Sequence, residues 1–485
     1  MKTATERVAT LLNRGTPTNR LPLELLARIF DLAGSDGHPK HIVPLTHVCR
    51  HWRTVLLSYS RIWSRVHMKP GNPSVISEWL ARSQNAPLTV IADFTDSYEH
   101  PSCLYHDSAT AALAYNDSDE VCARHAAVLS LDELLPHRSR IHDLRILLRS
   151  SDPHWDEDGH EGEPTLLYHE FFKESLPNLQ RLDFRATHIE QDSYVIPIPD
   201  SLFAGDLPRL EELRYLGVIG GLTETAKNLV SCEIGDWSRS AGPVIIHPDE
   251  LRVFFNNNKT LESLTINKFE FISSQEPTTT AMTNLRFLWI RGDFSDYFEK
   301  ILRFIHVPQF KNLDTVQLSF LPYNIRVVAT DGLGHTFEFA RLSGDDPEFH
   351  PLRHFGAVIT TLRFDRKTTT EQLDGGPELY SLFRSFDAVE LLEFDGTVAD
   401  RFQIALTITG VFPGLRVIRV AVSRHGCERT LRPLAIASKR RMMEGNPFTT
   451  IEPLLAEGED GLDQSLRVEW EECWKAEDIH NFLSK

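Results

Sequence analysis

Cysteine is scarce in this chain, and its six copies at 49, 103, 122, 232, 427 and 473 never form a Cys-x-x-Cys pair. That spacing excludes a disulfide framework and a thiolate zinc site, and it fits a reduced compartment, cytoplasmic and/or nuclear. Long apolar runs are missing too. No stretch reaches the ~18 consecutive apolar residues that a membrane span needs. The first residues, Met1 to Arg7, lack the apolar core of a secretory leader. The sequons Asn116-Asp117-Ser118 and Asn258-Lys259-Thr260 are therefore expected to stay unmodified. Histidine is frequent at 21 copies, yet no His-Glu-x-x-His occurs, and neither a glycine-rich phosphate loop nor a Gly-x-Ser-x-Gly elbow is present. No metal and no cofactor are expected.

Charge is present but unevenly shared. Residues 1–70 carry a net +7, whereas the whole chain of 485 residues carries −17, which leaves −24 for residues 71–485. A basic head on an acidic body implies that the head meets an acidic partner and that the body does not seek nucleic acid.

Inside that head, Pro22 opens a run in which Leu25, Leu26, Ile29 and Phe30 read as one apolar helical stripe. Pro44 opens a second run with Leu45, Val48, Cys49, Trp52, Val55 and Leu56, and Ile62-Trp63 adds a third apolar point. Turn residues Gly34 to Pro39 separate the first two runs. Three short helices in about fifty residues cannot bury all of this surface alone. Either the rest of the chain or a partner must cover it. Leu21-Pro22-x-Glu24-Leu25-Leu26-x-x-Ile29-Phe30, then Val48-Cys49-Arg50-x-Trp52, then Ile62-Trp63, together resemble the F-box. The connection at Gly34–His41 is longer and more polar than usual for that family. The resemblance implies that Leu21, Pro22, Leu25, Leu26, Ile29, Phe30, Val48, Cys49, Trp52, Ile62 and Trp63 divide between an adaptor-binding face and the module's own core. It leaves open which residue goes where.

From residue 141 onward an apolar-x-x-apolar-x-apolar pattern recurs. It reads Ile141-x-x-Leu144-x-Ile146, Leu179-x-x-Leu182-x-Phe184, Leu229-x-x-Cys232-x-Ile234, Leu261-x-x-Leu264-x-Ile266 and Leu285-x-x-Leu288-x-Ile290. It continues through Leu313-x-x-Val316-x-Leu318, Ile359-x-x-Leu362-x-Phe364, Val389-x-x-Leu392-x-Phe394 and Leu415-x-x-Ile418-x-Val420, with Leu210 to Leu216 a looser copy. Lead-ins such as Leu-Pro-Asn at 176–178, Met-Thr-Asn at 282–284 and Phe-Pro-Gly at 412–414 precede several copies. Helical patterns lie between copies, for example Pro248–Phe255, Tyr297–Ile305 and Pro377–Phe386. Such units look like a degenerate leucine-rich-repeat solenoid, in which neighbours stack to bury a shared core.

The expected fold is α+β and multidomain. Residues 1–70 form an N-terminal helix and a small all-α F-box (core 20–67), and 71–140 form a linker or N-terminal cap, with Leu88–Ile91 a candidate first strand. An α/β leucine-rich-repeat-like solenoid follows over 141–445 with a β-hairpin inserted at 325–340, and 446–485 caps the end. An acidic, turn-rich loop is expected at 151–159.

In leucine-rich repeats the x residues around the central apolar position face the concave side. Here those are Arg181 and Asp183, Ser263 and Thr265, Phe287 and Trp289, Thr315 and Gln317, and Val417 and Arg419. Phe287 and Trp289 with Arg291 are the candidate target-binding residues, because aromatic and Arg side chains are enriched at binding hot spots. The resemblance implies a non-catalytic substrate receptor of an SCF-type cullin–RING ubiquitin ligase. Its F-box would bind the adaptor, reach the cullin indirectly, and leave the solenoid for a target protein. The pattern is most similar to the expanded F-box families of mushroom-forming fungi. An F-box scaffold that delivers no substrate is the alternative. Arg424-His425-Gly426 resembles the histidine phosphatase motif, but it falls after a repeat strand rather than after a first strand, so a phosphohydrolase is the remote reading.

Overall fold

The computed structural model describes chiefly residues 16–34, 39–68, 73–94, 129–150, 170–188, 202–216, 225–235, 244–271, 279–292, 305–308, 315–342, 359–364, 383–395, 399–422 and 427–455, with short gaps inside some of these. The loop at 151–159, most of the helical patterns at 297–305 and 377–386, the Arg424-His425-Gly426 string and the end from 456 lie outside the described residues. The chain divides into two compact units, Met1–Asn258 and Lys259–Lys485.

The first unit begins with helices α1 (Leu23–Ala33), α2 (Pro39–Leu45), α3 (Arg50–Ser58) and α4 (Ser60–Trp63). Pro22 lacks an N–H, but its carbonyl accepts from Leu26 N at 3.0 Å and so starts α1 at no cost in donors. Pro44 does not start a helix as its spacing suggested; it sits in the last turn of α2. The chain then turns through Thr46 and His47, whose N–H groups reach Val43 O and Pro44 O at 3.0 Å. Cys49 is the N-cap of α3, with its Sγ accepting from Trp52 N at 3.5 Å.

Only Ser64 separates α4 from strand β1 (Arg65–Met68). Helix α5 (Pro73–Ser83) then leads to β2 (Leu88–Phe94), and β3 (Ile141–Ser150), β4 (Arg181–His188), β5 (Glu212–Leu216) and β6 (Ser231–Gly235) follow. All six pair in chain order and parallel. A short helix α6 (Glu170–Lys173) and α7 (Pro248–Asn257) also belong to this unit. Residues 71–140, expected as a linker or N-terminal cap with a candidate strand at Leu88–Ile91, supply helix α5 and strand β2.

The second unit holds β7 (Ser263–Asn267), β8 (Phe287–Gly292), β9 (Thr315–Leu321), β10 (Asn324–Thr330), β11 (Thr336–Leu342), β12 (Thr361–Phe364), β13 (Leu391–Asp395), β14 (Val417–Val422) and β15 (Thr450–Leu455). The pairing order is β7-β8-β11-β10-β9-β12-β13-β14-β15. The hairpin β10–β11 therefore enters the sheet as two full strands. β10 is antiparallel to both β9 and β11, and β11 closes parallel on β8. Helices α8 (Ala399–Thr407) and α9 (Cys427–Met443) also belong to this unit. The architecture is a helical N-terminal region followed by a strand-rich, largely parallel α+β region.

The recurring pattern dictates the core. Its first apolar residue is buried in every copy, at Ile141, Leu179, Leu229, Leu261, Leu285, Leu313, Ile359, Val389 and Leu415. The strand pairs Leu144/Ile146, Leu182/Phe184, Cys232/Ile234, Leu264/Ile266, Leu288/Ile290, Leu392/Phe394 and Ile418/Val420 are buried as well. Each large side chain removed from water contributes roughly 1.5–3 kcal/mol.

Successive copies are joined by the same backbone contact. Gln180 O accepts from Glu211 N at 2.9 Å and Glu212 N at 3.0 Å. Glu262 O accepts likewise from Arg286 and Phe287, and Glu390 O from Arg416 and Val417. The lead-in residues complete this joint. Asn178 Nδ2 donates to Ser139 O at 2.7 Å, and Asn284 Nδ2 to Lys259 O at 3.1 Å. At Gly414 a Cβ would stand 2.8 Å from Asp387 O, so glycine permits the close approach of the chain.

Candidate functional site

Helix α1 presents two apolar faces, where the sequence suggested a single stripe. Leu26, Ala27 and Phe30 are buried, whereas Leu25, Ile29 and Leu32 are 54%, 48% and 61% exposed. At 100° per residue, 25, 29 and 32 fall within one narrow arc opposite 26, 27 and 30. The faces thus separate the candidate residues. Leu26, Phe30, Ile62 and Trp63 belong to the core with Ile42, Val55 and Leu56, and Trp52 packs against it. Leu25, Ile29 and Val48 point outward with Pro22, while Leu21 and Cys49 are half-buried. Leu23, Leu32 and Val43 are further exposed apolar residues that the motif had not marked. Leu32 could have been found from its i+3 spacing to Ile29 and i+7 spacing to Leu25.

The core is completed from beyond the motif. Trp63 donates through Nε1 to Leu56 O at 2.7 Å, and its ring packs edge-on to Trp79 of α5 with centroids 4.9 Å apart. The Arg82 guanidinium lies 4.5 Å from the centre of the Trp63 ring. Asp31, buried at the end of α1, is ringed by Arg28, Arg65 and Arg61 at 3.0, 3.3 and 3.7 Å. Phe30 meets Trp52 edge-on at 4.9 Å.

The outward face of the sheet carries a second pattern, invisible without the register. In the first unit Arg145, Asp183, Arg214 and Glu233 stand side by side on β3 to β6. The adjacent row reads Asp143, Arg181, Glu212. Charge alternates both across and along the strands. Arg181 reaches Glu212 at 3.0 Å, Arg185 grips Asp183 with two bonds of 2.7 Å, and Arg214 pairs with Glu233. Burial raises the Asp143 carboxyl pKa, against the pull of Arg145 and Arg181. The bonds that Arg185 donates to Asp183, against burial, raise the Arg185 pKa.

In the second unit the same position gives Arg363, Glu393, Arg419 and Glu452 on β12 to β15, with Arg363–Glu393 at 3.3 Å and Arg419–Glu452 at 2.7 Å. In-register parallel strands lie about 4.8 Å apart, so like charges there would repel.

Of the candidate target-binding residues, Phe287 and Trp289 lie half-buried on β8, on the face opposite the buried Leu288 and Ile290. They stand in register with Ser263 and Thr265 of β7. Arg291 occupies the next same-face position of the strand, in register with Asn267, and its side chain is outside the described residues. Asn267 went unnoticed in the sequence. It is completely buried, yet neither its Oδ1 nor its Nδ2 has a hydrogen-bond partner. Among the described residues no group of three or more His, Cys, Asp or Glu could hold a metal ion, and no helix is long and apolar enough to cross a membrane.

Residues 18–69 match the F-box-like family model. No curated protein matches the chain.

Proposed function

We propose that the chain is the substrate-recognition subunit of an SCF-type cullin–RING ubiquitin ligase. F-box domains bind Skp1-type adaptors, and the region matching that family is the one whose first helix keeps an exposed apolar face. The single observation that carries the reading is the pair of faces on α1. Phe30 and Leu26 satisfy the core, which leaves Leu25, Ile29 and Leu32 exposed together on the other side of α1, and Pro22 and Val48 are exposed as well. Contiguous exposed apolar surface marks an interaction site. The net +7 over residues 1–70 suits an acidic adaptor and would speed its arrival.

The rest of the chain is read as a leucine-rich-repeat-like solenoid of irregular step. What supports this is the recurrent carbonyl joint between copies and the burial of the same pattern positions in each. A target protein docks on the outward sheet face, with Phe287, Trp289 and Arg291 as anchors. The receptor itself performs no chemistry; it raises the local concentration of target beside a ubiquitin-charged enzyme held elsewhere in the assembly.

Co-purification tests the reading. Tagged chain retains adaptor and cullin, and Leu25→Ser with Ile29→Ser releases both while the fold is kept. Retention by the double variant sinks the adaptor assignment. Retention of cullin with no protein stabilised when the chain is deleted favours a scaffold over a receptor.

A further inference from the structure

Lysine and arginine are shared unevenly between the strands and the rest of the chain. The chain has 13 lysines and 38 arginines. Strands β1 to β15 hold eleven arginines and no lysine, where the chain's own ratio would make roughly three of the eleven lysine. Residues 70–172 contain no lysine at all, and 312–438 contain only Lys367. The lysines among the described residues lie on helices and connections. Lys40, Lys173 and Lys439 are on α2, α6 and α9, and Lys227 and Lys259 stand in the connections that lead into β6 and β7.

Charge pairing does not require this choice. Arg185 uses its planar fork to bond Asp183 twice, but Arg419 bonds Glu452 through Nε alone. Arg181 and Arg363 each approach one carboxylate, Glu212 at 3.0 Å and Glu393 at 3.3 Å. An ammonium makes such a contact as well, and exposed pairs of either kind contribute little to stability.

Reactivity does separate the two side chains. The lysine amine loses its proton with a pKa of about 10.4 and is then a nucleophile, whereas the guanidinium stays protonated and delocalised. In ubiquitin transfer an amine nitrogen attacks the thioester carbonyl of the charged enzyme. The isopeptide C–N bond forms, the C–S bond breaks, and the enzyme thiol leaves with the proton that the amine gives up. An amine on the surface that holds a target shares the target's effective concentration at that thioester.

We propose that the strands of this receptor form a surface without ubiquitin acceptors, so that a target docked there is modified and the receptor is spared. A lysine placed on that surface becomes the favoured acceptor of the chain, ahead of the exposed Lys173, Lys227 and Lys259. This rests on the receptor reading above and adds how the receptor escapes its own ligase.

The test reconstitutes the full chain with adaptor, cullin–RING core, charged enzyme and ubiquitin, with no target present. Arg181→Lys and Arg363→Lys, one in each unit, keep the charge at positions that are 59% and 48% exposed. Ubiquitin on each lysine is followed over time by mass spectrometry, and an unchanged thermal midpoint shows that the fold is kept. The introduced lysine is expected to gain ubiquitin about threefold faster or more than Lys173, Lys227 or Lys259. Gain in one variant alone confines the protection to that unit. Equal or slower modification of the introduced lysine in both variants, while other lysines are modified, overturns this inference and leaves the ligase reading standing. No ubiquitin on any lysine sinks the ligase reading, and this inference with it.

Discussion

Arg65 Nη1 lies 3.3 Å from the Asp31 carboxylate and also donates to the Asp31 main-chain oxygen at 3.2 Å. The last turn of α1 is thereby bonded to the first residue of β1, which pairs with β2 through Arg65 and Thr89. The helical module and the sheet of the first unit share this joint, and the Trp63–Trp79 contact reinforces it. The helical module is thus fixed to the sheet of this unit rather than hung on a loose tether.

Replacing Asp31 by Ala leaves three arginines converging on an empty point. Arg28 and Arg61 are largely exposed and re-solvate, which limits the damage. The expected loss is about 1–3 kcal/mol, mostly through Arg65 and the buried turn. Denaturant unfolding of the full chain measures it, and faster hydrogen exchange in β1 should accompany it. A change indistinguishable from zero would mean that the cluster holds nothing.

The two faces of α1 predict opposite phenotypes for neighbouring residues. Phe30→Ala empties a core position and should cost about 3–5 kcal/mol. Ile29→Ser alters an exposed position and should change stability by less than about 0.5 kcal/mol. Adaptor capture should nevertheless fail in Ile29→Ser, since the residue lies in the exposed apolar arc. Thermal melts and pull-downs on the same preparations separate the two effects.

Asp183 is flanked in register by Arg145 and Arg214 and along its strand by Arg181 and Arg185. Asp183→Lys would gather five positive charges and should destabilise by about 1–2 kcal/mol, more than Asp183→Ala at roughly 0.5. High salt should narrow the gap between the two variants. Equal stabilities at low salt would show the ladder to be inert.

Asn258 is buried with its amide saturated. Its Oδ1 accepts from Leu229 N at 3.0 Å, and its Nδ2 donates to Ala226 O at 3.0 Å and Phe254 O at 2.8 Å. With each bond worth about 1 kcal/mol, Asn258→Ala should lose roughly 2–3 kcal/mol. The same geometry makes the Asn258-Lys259-Thr260 sequon a poor acceptor in the folded chain, independent of compartment. Denaturant midpoints test the first expectation.

At the β10–β11 turn, Asp331 Oδ1 accepts from Leu333 N at 2.8 Å and His335 N at 2.9 Å, and Oδ2 lies 2.6 Å from His335 Nδ1. Burial works to raise the Asp331 pKa, but the bonds from His335 and Leu333 outweigh it, so the carboxyl lies below its usual value. A lowered folded value stabilises the turn above the unfolded carboxyl pKa of about 3.9 and loses that contribution as pH falls through the folded value. Protection of the Leu333 and His335 amides, measured against their intrinsic exchange rates, should therefore be lost only in acid. His335→Ala should bring the onset to higher pH, because the ring bond no longer favours the charged carboxylate.

Much of the fold was legible because its signals are local. In Leu179-x-x-Leu182-x-Phe184 the apolar positions mark one strand's buried side, and burial of Leu182 and Phe184 follows whichever strand lies next to it. The hairpin was legible from alternation around Asp331 to Gly334, although its full entry into the sheet was not. Pro44 misled because proline is tolerated in a first turn, and only the neighbouring backbone bonds show it in a last one.

The sequence by itself determined the helical head, the recurring strands, the basic-to-acidic division of charge and the aromatic pair at 287 and 289. These depend on residue type and spacing along one chain. Tertiary structure alone decided that Leu25 and Leu26 serve opposite faces, that Arg145, Asp183, Arg214 and Glu233 form one row, and that Asn267 is enclosed without a partner. The physical reason is common to all three. Which side of α1 is covered, which charges become neighbours and which amide goes unsatisfied all depend on groups distant in sequence, brought near by register and packing.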